Sequence, residues 1–476
     1  MNIENQNLES LSPIVKKSFW ENLKDAIRGT EADYTTISIR KAIFLLAIPM
    51  ILELVMESTF AVVDIYFVGK LGASAIATVG LTETYLFILY SVAMGLSMAV
   101  TAIIARRTGE KNTSESGLAA VQSIILGLIA ALPLTIGGIF YAKDLLALMG
   151  ADAWSINEGY KYTQYMLGGN AVIVLLFVIN AIFRGAGDAA IAMRVLWIAN
   201  IINIGLDPLL IFGWGFIPAF GIEGAAMATN IGRGIGVAVQ LWVLFKGGKH
   251  IKVTISQLYL DSKIMLNIVK TSLGGIGQMI IAMTSWIFLI RILAELGAET
   301  VAGSTIAIRI MMFTMMPAWG LSNAAATIVG QNLGAGEPDR AEKSVWKIGF
   351  YNMIFLVLVS IVYFIYNEDL MRLFTDDARV IAVGAEWIQI VSYGYFIYGW
   401  WMVSVQAFNG SGDTKTPTLI NVVFFWLFQI PLAYSLAIIF DWQESGVFWG
   451  MFISEIGVGL FTLWLFSKGK WKETKV

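Results

Sequence analysis

The sequence predicts an all-α integral membrane protein of twelve transmembrane helices in two six-helix bundles, and three observations predict it. Of 476 residues, 57% are hydrophobic and only 14% are charged, whereas about a quarter of the residues of a soluble domain carry charge. Twelve apolar runs, at approximately 42–67, 75–104, 117–140, 162–183, 190–213, 222–245, 267–292, 301–329, 345–366, 385–407, 417–440 and 446–466, are each long enough to cross a bilayer, for which about 20 residues suffice. The last six runs also repeat the first six at one ungapped offset of 225 residues.

The repeat is carried by motifs along the whole chain. LGASAIA at Leu71 recurs as LGAETVA at Leu296, GLS at Gly95 recurs at Gly320, and FRGAGD at Phe183 recurs as FNGSGD at Phe408. Six spans per unit is an even number, so both halves run through the membrane in the same direction. They are then expected to be related by an axis along the membrane normal and to bracket a central cavity. The lobes are expected at 38–247 and 267–468, joined by a cytoplasmic linker at 248–266 and flanked by tails at 1–37 and 469–476.

Lys and Arg set the orientation. With both termini in the cytoplasm, the cytoplasmic segments hold 24 of these residues and the external loops six, while Arg233 and Arg309 are intramembrane. The chain is therefore expected in the inner cell membrane, multi-pass, with both termini cytoplasmic. The polar N-terminus lacks the pattern of a cleavable leader. Within it, Phe19, Trp20, Leu23 and Ile27 recur at helical spacing among Lys16, Lys17, Lys24 and Arg28. That pattern fits either an amphipathic helix on the inner membrane surface or a partly ordered tail. Zero cysteines exclude disulfides and thiolate metal sites, and the single histidine, His250, leaves no metal cluster or histidine catalysis. A net charge of −2 with no separate basic domain argues against a nucleic-acid partner.

Span 1 holds Glu53, Glu57 and Asp64 at i, i+4 and i+11. Eleven residues at 100° each return to within about 20° of the start, so all three share one helix face. An intramembrane carboxylate costs roughly 2.5–3.5 kcal/mol on insertion scales, so three on one face need a cavity or partners. Pro49, one turn below Glu53, lacks an N–H and leaves the Leu45 carbonyl uncommitted, which marks a candidate hinge. Pro133, Pro208, Pro317 and Pro431 are expected to kink spans 3, 5, 8 and 11.

The repeat makes differences between its copies informative. Asp64 corresponds to Leu289, Glu57 to Ala282 and Glu53 to Gln278, while Asn203 and Asp207 of span 5 correspond to Phe428 and Leu432. The acids are confined to the N-terminal half. Asp64 and Asp207 fall at similar depth in the outer half of the bilayer, Asn203 lies one turn below Asp207, and Tyr162 reaches the same level from span 4. Carboxylates titrate or coordinate, and an amide and a phenol supply neutral ligands, so this set suits a proton or cation site. Glu53, Glu57 and Glu83, together with Gln278 and Met283, are candidates for substrate or proton contact; packing hydrogen bonds are the alternative for the glutamates. The alternative for Asp64 is a helix-end residue partnered by Lys70, and for Asp207 a structural role before Pro208. Arg309 and Glu455 are expected to neutralise each other, the alternative being an anion-binding role. The run SYGYFIYGWWMV in span 10 and the methionines of spans 7 and 8 suit, in part, the lining of a polyspecific pocket.

The two six-span halves, the G-x-G-D loops at Gly185–Asp188 and Gly410–Asp413, and VGQNLGAGEPDRA after span 8 together resemble the multidrug and toxic compound extrusion (MATE) transporters over roughly 38–470. The resemblance implies two six-helix bundles and export of organic cations and other amphiphiles in exchange for protons or sodium. In that family an acid on span 1 and an N-x-x-x-D on span 5 form the coupling site, which assigns that role to Asp64, Asn203 and Asp207. Thr229 is the nearest match to a span-6 hydroxyl found in some relatives. Another branch of the family carries its coupling acids on spans 7 and 10. Span 7 here has none and span 10 only Glu386 near its outer end, so coupling is expected in the N-terminal half. The implied protein is a monomeric secondary antiporter, not an enzyme, with no cofactor besides its coupling ion, H+ or Na+. The alternative within the superfamily is a flippase for a lipid-linked sugar or another amphiphilic metabolite; a pyrophosphate should demand several cavity arginines where only Arg233 and Arg309 stand. A channel is the third reading, and no re-entrant filter segment stands out for it.

Overall fold

The computed structural model describes residues 18–30, 32–248 and 251–476; Lys16, Lys17 and His250 lie outside the described residues. Helix α1 (Phe19–Arg28) opens with a capping box between Ser18 and Glu21 and leaves Trp20 73% exposed. The N-terminal half then follows as α2 (Ile39–Gly69), α3 (Ala73–Gly109), α4 (Thr113–Leu148), α5 (Tyr160–Gly168), α6 (Asn170–Ala186), α7 (Ala189–Phe212) and α8 (Ile222–Lys246). The C-terminal half repeats the order as α9 (Ser262–Glu295), α10 (Ala298–Gly334), α11 (Pro338–Arg372), α12 (Ala378–Ser392), α13 (Tyr395–Ser411), α14 (Lys415–Asn421), α15 (Ile430–Tyr434) and α16 (Gln443–Ser467). Among the described residues nine helices are long and apolar enough to cross a membrane, and a tenth span is the pair α12 and α13, bent by 63°. The 31-residue α2 and the 25-residue α8 complete the twelve. No strand is present among the described residues beyond an isolated bridge between Trp214 and Ile217.

Local chemistry explains where the helices start and stop. Ser38, Asn112, Asp261 and Asp377 cap α2, α4, α9 and α12 by accepting hydrogen bonds from backbone N–H groups of the first turn. The tight connections from α2 to α3 and from α9 to α10 turn at Gly72 and Gly297, whose φ angles of 105° and 126° suit only glycine. Asp152, in the loop before span 4, is held below the ordinary aspartate range by hydrogen bonds from Ser155 and Ser74.

Pro49, Pro133, Pro208 and Pro317 keep helical backbone angles inside α2, α4, α7 and α10, because one missing hydrogen bond does not force the backbone out of helical angles when neighbouring helices hold it. Departures from helical angles occur instead at Tyr141 in α4 and Tyr366 in α11, equivalent positions in the repeat, where the apolar runs end. Pro431 lies between two wider, π-helical stretches, Val422–Gln429 and Ser435–Ile439.

Three apolar cores build the tertiary structure. One lies within the N-terminal half, around residues such as Leu86, Ile173 and Ile182, and a second within the C-terminal half, around Leu289, Trp387 and Phe448. The third draws on both halves and both terminal segments, through Tyr34, Leu46, Ala324, Phe408 and Trp471. This end of the bundle is the base. Here α3 and α10 cross the partner half with almost no side chain between them. A Cβ on Gly95 would collide with the backbone of Ile276, and one on the equivalent Gly320 would lie 2.7 Å from the Cα of the equivalent Ile51.

Hydrogen bonds reinforce the same end. Gln331 donates to the Gly185 carbonyl at 2.9 Å and Thr327 to the Arg184 carbonyl at 3.0 Å. In the mirror position Arg106 donates to the carbonyls of Ser411 at 3.5 Å and Thr474 at 2.6 Å. The G-x-G-D loops are thus the acceptors of the clasp. Among the described residues, every hydrogen bond between the lobes lies at this base, and none joins the far halves of α2, α3, α9 and α10.

A side chain at Gly320 cannot rotate away from backbone, and overpacking of this kind costs about 1–3 kcal/mol, enough to shift a two-state equilibrium roughly 5- to 150-fold. Gly320→Val should therefore open the base. The chain has no cysteine, so spin-label pairs at the base ends of α3 and α10 report the change directly. A distance distribution identical to that of the unsubstituted protein would show that this close approach does not hold the lobes together.

Candidate functional site

The acidic face of α2 turns into its own lobe and meets α6, α7 and α8 at three levels. At the lowest, Glu53 is buried and its Oε1 accepts from Asn180 and from the Arg184 guanidinium, both at 3.1 Å. Gln240 closes this network by donating to Asn180 Oδ1 at 2.5 Å. One turn higher, Glu57 receives Arg233 at 2.8 Å and Asn200 at 3.2 Å. The Arg233 guanidinium also lies 5.4 Å from the Phe60 ring centroid, an arrangement in which the ring face offsets part of the desolvation of a buried cation.

The top level is different. Asp207 is fully buried, and neither of its carboxylate oxygens has a hydrogen-bond partner. Asp64 Oδ1 has none either. Asn203, one turn below Asp207 on α7, donates to Thr229 at 3.1 Å, which leaves its own Oδ1 unpartnered. Asp64 and Asp207 repel one another electrostatically, and Tyr162 faces both. Four acceptor atoms on three side chains thus lack a hydrogen-bond donor, while Arg233, within electrostatic reach of Asp64, keeps its Nε and Nη1 unpartnered. Buried acceptors left unpaired carry a desolvation cost that a proton or a small cation relieves.

Charge accounting over the three levels gives the same result. Glu53 and Glu57 are each matched by an arginine, while Asp64 and Asp207 have no cation in contact among the described residues. Lys70, the alternative partner for Asp64, instead lies 4.4 Å over the Tyr66 ring. Glu83 is exposed on α3, within electrostatic reach of Asp64 but outside the cluster. The structure therefore brings Asp64, Asn203, Asp207, Thr229 and Tyr162 together, and ties Glu53 and Glu57 into ion pairs below them.

Gln278 and Met283 do not join this set. Gln278 is buried in the other lobe, where it donates to Asn409 Oδ1 at 2.9 Å and to the Thr414 carbonyl at 3.1 Å. Met283 is half-buried on α9. Arg309 and Glu455 do not form the expected ion pair: Arg309 is exposed on α10, and no salt bridge joins the two among the described residues.

Sequence reasoning missed Arg184, Asn180, Asn200 and Gln240 as partners of the α2 acids. A signal existed in the repeat. Glu53 corresponds to Gln278 and Arg184 to Asn409, so an ion pair in one lobe is an amide pair in the other, with both members changed together. Removing one partner of a buried ion pair costs about 3–5 kcal/mol, whereas replacing both with a compatible pair is close to neutral. Glu53→Gln should accordingly lower the melting temperature in detergent markedly, and Glu53→Gln with Arg184→Asn, which copies the C-terminal lobe, should recover most of the loss. If the double variant melts no higher than the single one, the two positions are not coupled as the geometry indicates.

The MatE family model matches residues 49–209 and again 275–435. Among curated proteins, the chain is 28% identical over 442 residues to the "Probable multidrug resistance protein NorM" of Thermotoga maritima, covering 92% of this chain and 94% of that one. It is 26% identical to the "FAD transporter" of Shewanella oneidensis, over 83% of this chain and 87% of the relative. Among solved structures, one described as the outward-facing conformation of a multidrug resistance MATE family transporter superposes with a TM-score of 0.85 at 24% identity, covering 94% and 99% of the two chains.

Proposed function

We propose that this chain, which belongs to the MatE family, is a secondary antiporter that exports organic cations or amphiphilic drugs in exchange for H+ or Na+. The observation that carries the coupling assignment is the set of four unpartnered acceptors on Asp64, Asn203 and Asp207. A proton or Na+ taken up there relieves the buried charge and favours a drier, more tightly packed N-terminal lobe. Release to the cytoplasm restores the charged form. Drug bound between the lobes leaves to the outside in the opposite half of the cycle. The name of the relative in Thermotoga maritima, "Probable multidrug resistance protein NorM", supports drug efflux as the process.

Lobes at 38–247 and 267–468 that clasp at the base, with the charge asymmetry placing that base in the cytoplasm, support an outward-facing form. An anionic substrate, as the name of the Shewanella relative suggests for that protein, is disfavoured here. Arg184 is paired with Glu53 and Arg233 with Glu57, although Arg233 Nε and Nη1 make no hydrogen bond, and Arg309 has no salt bridge among the described residues.

Transport in proteoliposomes with separately imposed pH and Na+ gradients tests the reading. Asp64→Asn and Asp207→Asn keep the side-chain shape but cannot titrate, so each should reduce gradient-driven efflux to background while leaving expression and melting unchanged. Wild-type efflux in either variant removes that residue from the coupling role. Efflux that follows neither gradient refutes antiport altogether.

Pro49 enters the cycle as a proposed hinge at the root of the acidic face. It sits below both ion-paired levels, where Leu46, Met50 and the Ile51 backbone are packed into the base. A coupling free energy between sites is typically about 1–3 kcal/mol, so a helix stiffened by that much is enough to slow turnover. Pro49→Ala restores the missing hydrogen bond and should bind drug normally yet transport it several-fold more slowly. Labels on spans 1 and 5 measured at low and high pH provide the check, and the same pH-driven movement in both proteins would reduce Pro49 to a packing residue.

A further inference from the structure

We propose that α1 and the uncovered side of α7 together form a docking surface for an anionic phospholipid. Lys24, Arg28 and Arg194 take the headgroup, and Trp20 and Ile27 rest against the upper part of the acyl chains. The proposal goes beyond the export reading and does not depend on what is transported. The charge asymmetry of the loops serves only to name the leaflet as the cytoplasmic one.

The helix α1 divides into three sides at 100° per residue. Ala26, Leu23 and Asn22 turn to the protein: Ala26 is buried in the core of the base, and the other two are half-buried. At the start of the helix the Phe19 ring meets the Phe44 ring of α2 edge-on, with centroids 5.7 Å apart. Trp20, Lys24, Ile27 and Arg28 lie within roughly 100° of one another on a second side, and all four are exposed. The acids take the third side, where Glu21 accepts from the Ser18 N–H at 2.8 Å and Asp25 is half-buried. An apolar edge flanked by cations is the pattern of a helix lying in the plane of a bilayer surface.

α7 fixes the level of that helix. Arg194, Ile198 and Ile201 recur at i, i+4 and i+7 and are all exposed, on a side that the neighbouring α2, α6 and α8 leave uncovered. In a span, such a face meets lipid. Arg194 is its member nearest the base, five residues after the first residue of α7, Ala189. Its stem therefore crosses the boundary of the hydrocarbon and its guanidinium sits among headgroups. The same guanidinium reaches the end of α1. A Cβ on Gly29, next to Arg28 in the chain, would lie 3.9 Å from Arg194 Nη2 and 3.3 Å from the Ala190 Cβ. The exposed side of α1 and the lipid-facing stripe of α7 thus meet at one depth.

The chemistry selects the partner. Lys24, Arg28 and Arg194 form no ion pair among the described residues, and Arg194 commits only its Nε, to the Ala190 carbonyl at 3.2 Å. Unpaired cations beside an apolar edge match a molecule that carries an anion and hydrocarbon together. Guanidinium groups take phosphate oxygens in planar, bidentate fashion. A choline headgroup brings its own cation to the same place and gains less. Trp20 suits the boundary because its ring has an apolar body and a polar N–H. A soluble acidic protein fits worse, since the cations share their side of α1 with Trp20 and Ile27 and adjoin the apolar stripe of α7.

The chain has no cysteine, so a bimane fluorophore on Ile27→Cys reports the apolar edge of α1 in nanodiscs. Lipids with a nitroxide near the headgroup end of one acyl chain quench it on contact. At equal mole fraction in a phosphatidylcholine background, nitroxide-labelled phosphatidylglycerol should quench about five-fold more steeply than labelled phosphatidylcholine. Salt at about 1 M should remove most of that preference, a measurement that needs no variant beyond the label site. Lys24→Gln, Arg28→Gln and Arg194→Gln combined should make the two lipids equivalent while quenching by both persists. Equal quenching by the two lipids before any charge is removed, a preference that survives salt or the triple substitution, or no quenching at all overturns the proposal.

Discussion

The free-energy cost of an unpaired charge in hydrocarbon governs the N-terminal lobe. Four carboxylates project from α2 and α7 into one polar seam, and two arginines answer them. Glu53 with Arg184 and Glu57 with Arg233 fill the lower levels, so the remaining negative charge collects at the top, on Asp64 and Asp207. The pairs also fasten α2 to α6 and α8, and Trp197 adds a hydrogen bond from α7 to the Leu52 carbonyl at 3.0 Å. A bend at Pro49 must therefore carry the anchored part of α2 together with its neighbours. Above Glu57 the helix has fewer polar ties, and that is where the unpartnered acids lie.

Symmetry is kept where the halves must meet and lost where they need not. Gly95 against Ile276 and Gly320 against Ile51 are the same contact made twice, and Arg106 and Gln331 reach the opposite G-x-G-D loops from equivalent positions. A change on one side of this interface would spoil the other, since each half is both donor and acceptor of the packing. The interior of each lobe is private. There Glu53 and Arg184 face Gln278 and Asn409 as counterparts, Tyr162 faces Trp387, and Asn230 faces Glu455. Specialisation proceeds in the private interiors because neither lobe's packing constrains the other's.

This division also separates the tightly packed base from the lobe interiors. The base joins backbones at van der Waals distance and adds hydrogen bonds. Close-packed interfaces of this kind convert a small change in a buried charge into a rigid movement of whole lobes.

The sequence by itself determined the span count, the repeat and the common face of Glu53, Glu57 and Asp64, because length, apolarity and helical period are local properties of a chain in a bilayer. It also brought Asp64, Asp207 and Tyr162 to similar depth with Asn203 one turn below, since depth follows from counting residues along a helix at 1.5 Å each, while Thr229 entered only through the family resemblance. Tertiary structure alone decided the partners. Arg184 is a loop-end cation by position, yet it turns back to Glu53; Arg309 and Glu455 are opposite charges in one lobe, yet they do not meet. Which faces of two helices touch depends on their mutual rotation, and that is set by packing across the lobe, as at Gly169 and Gly394, rather than by any property of either helix alone.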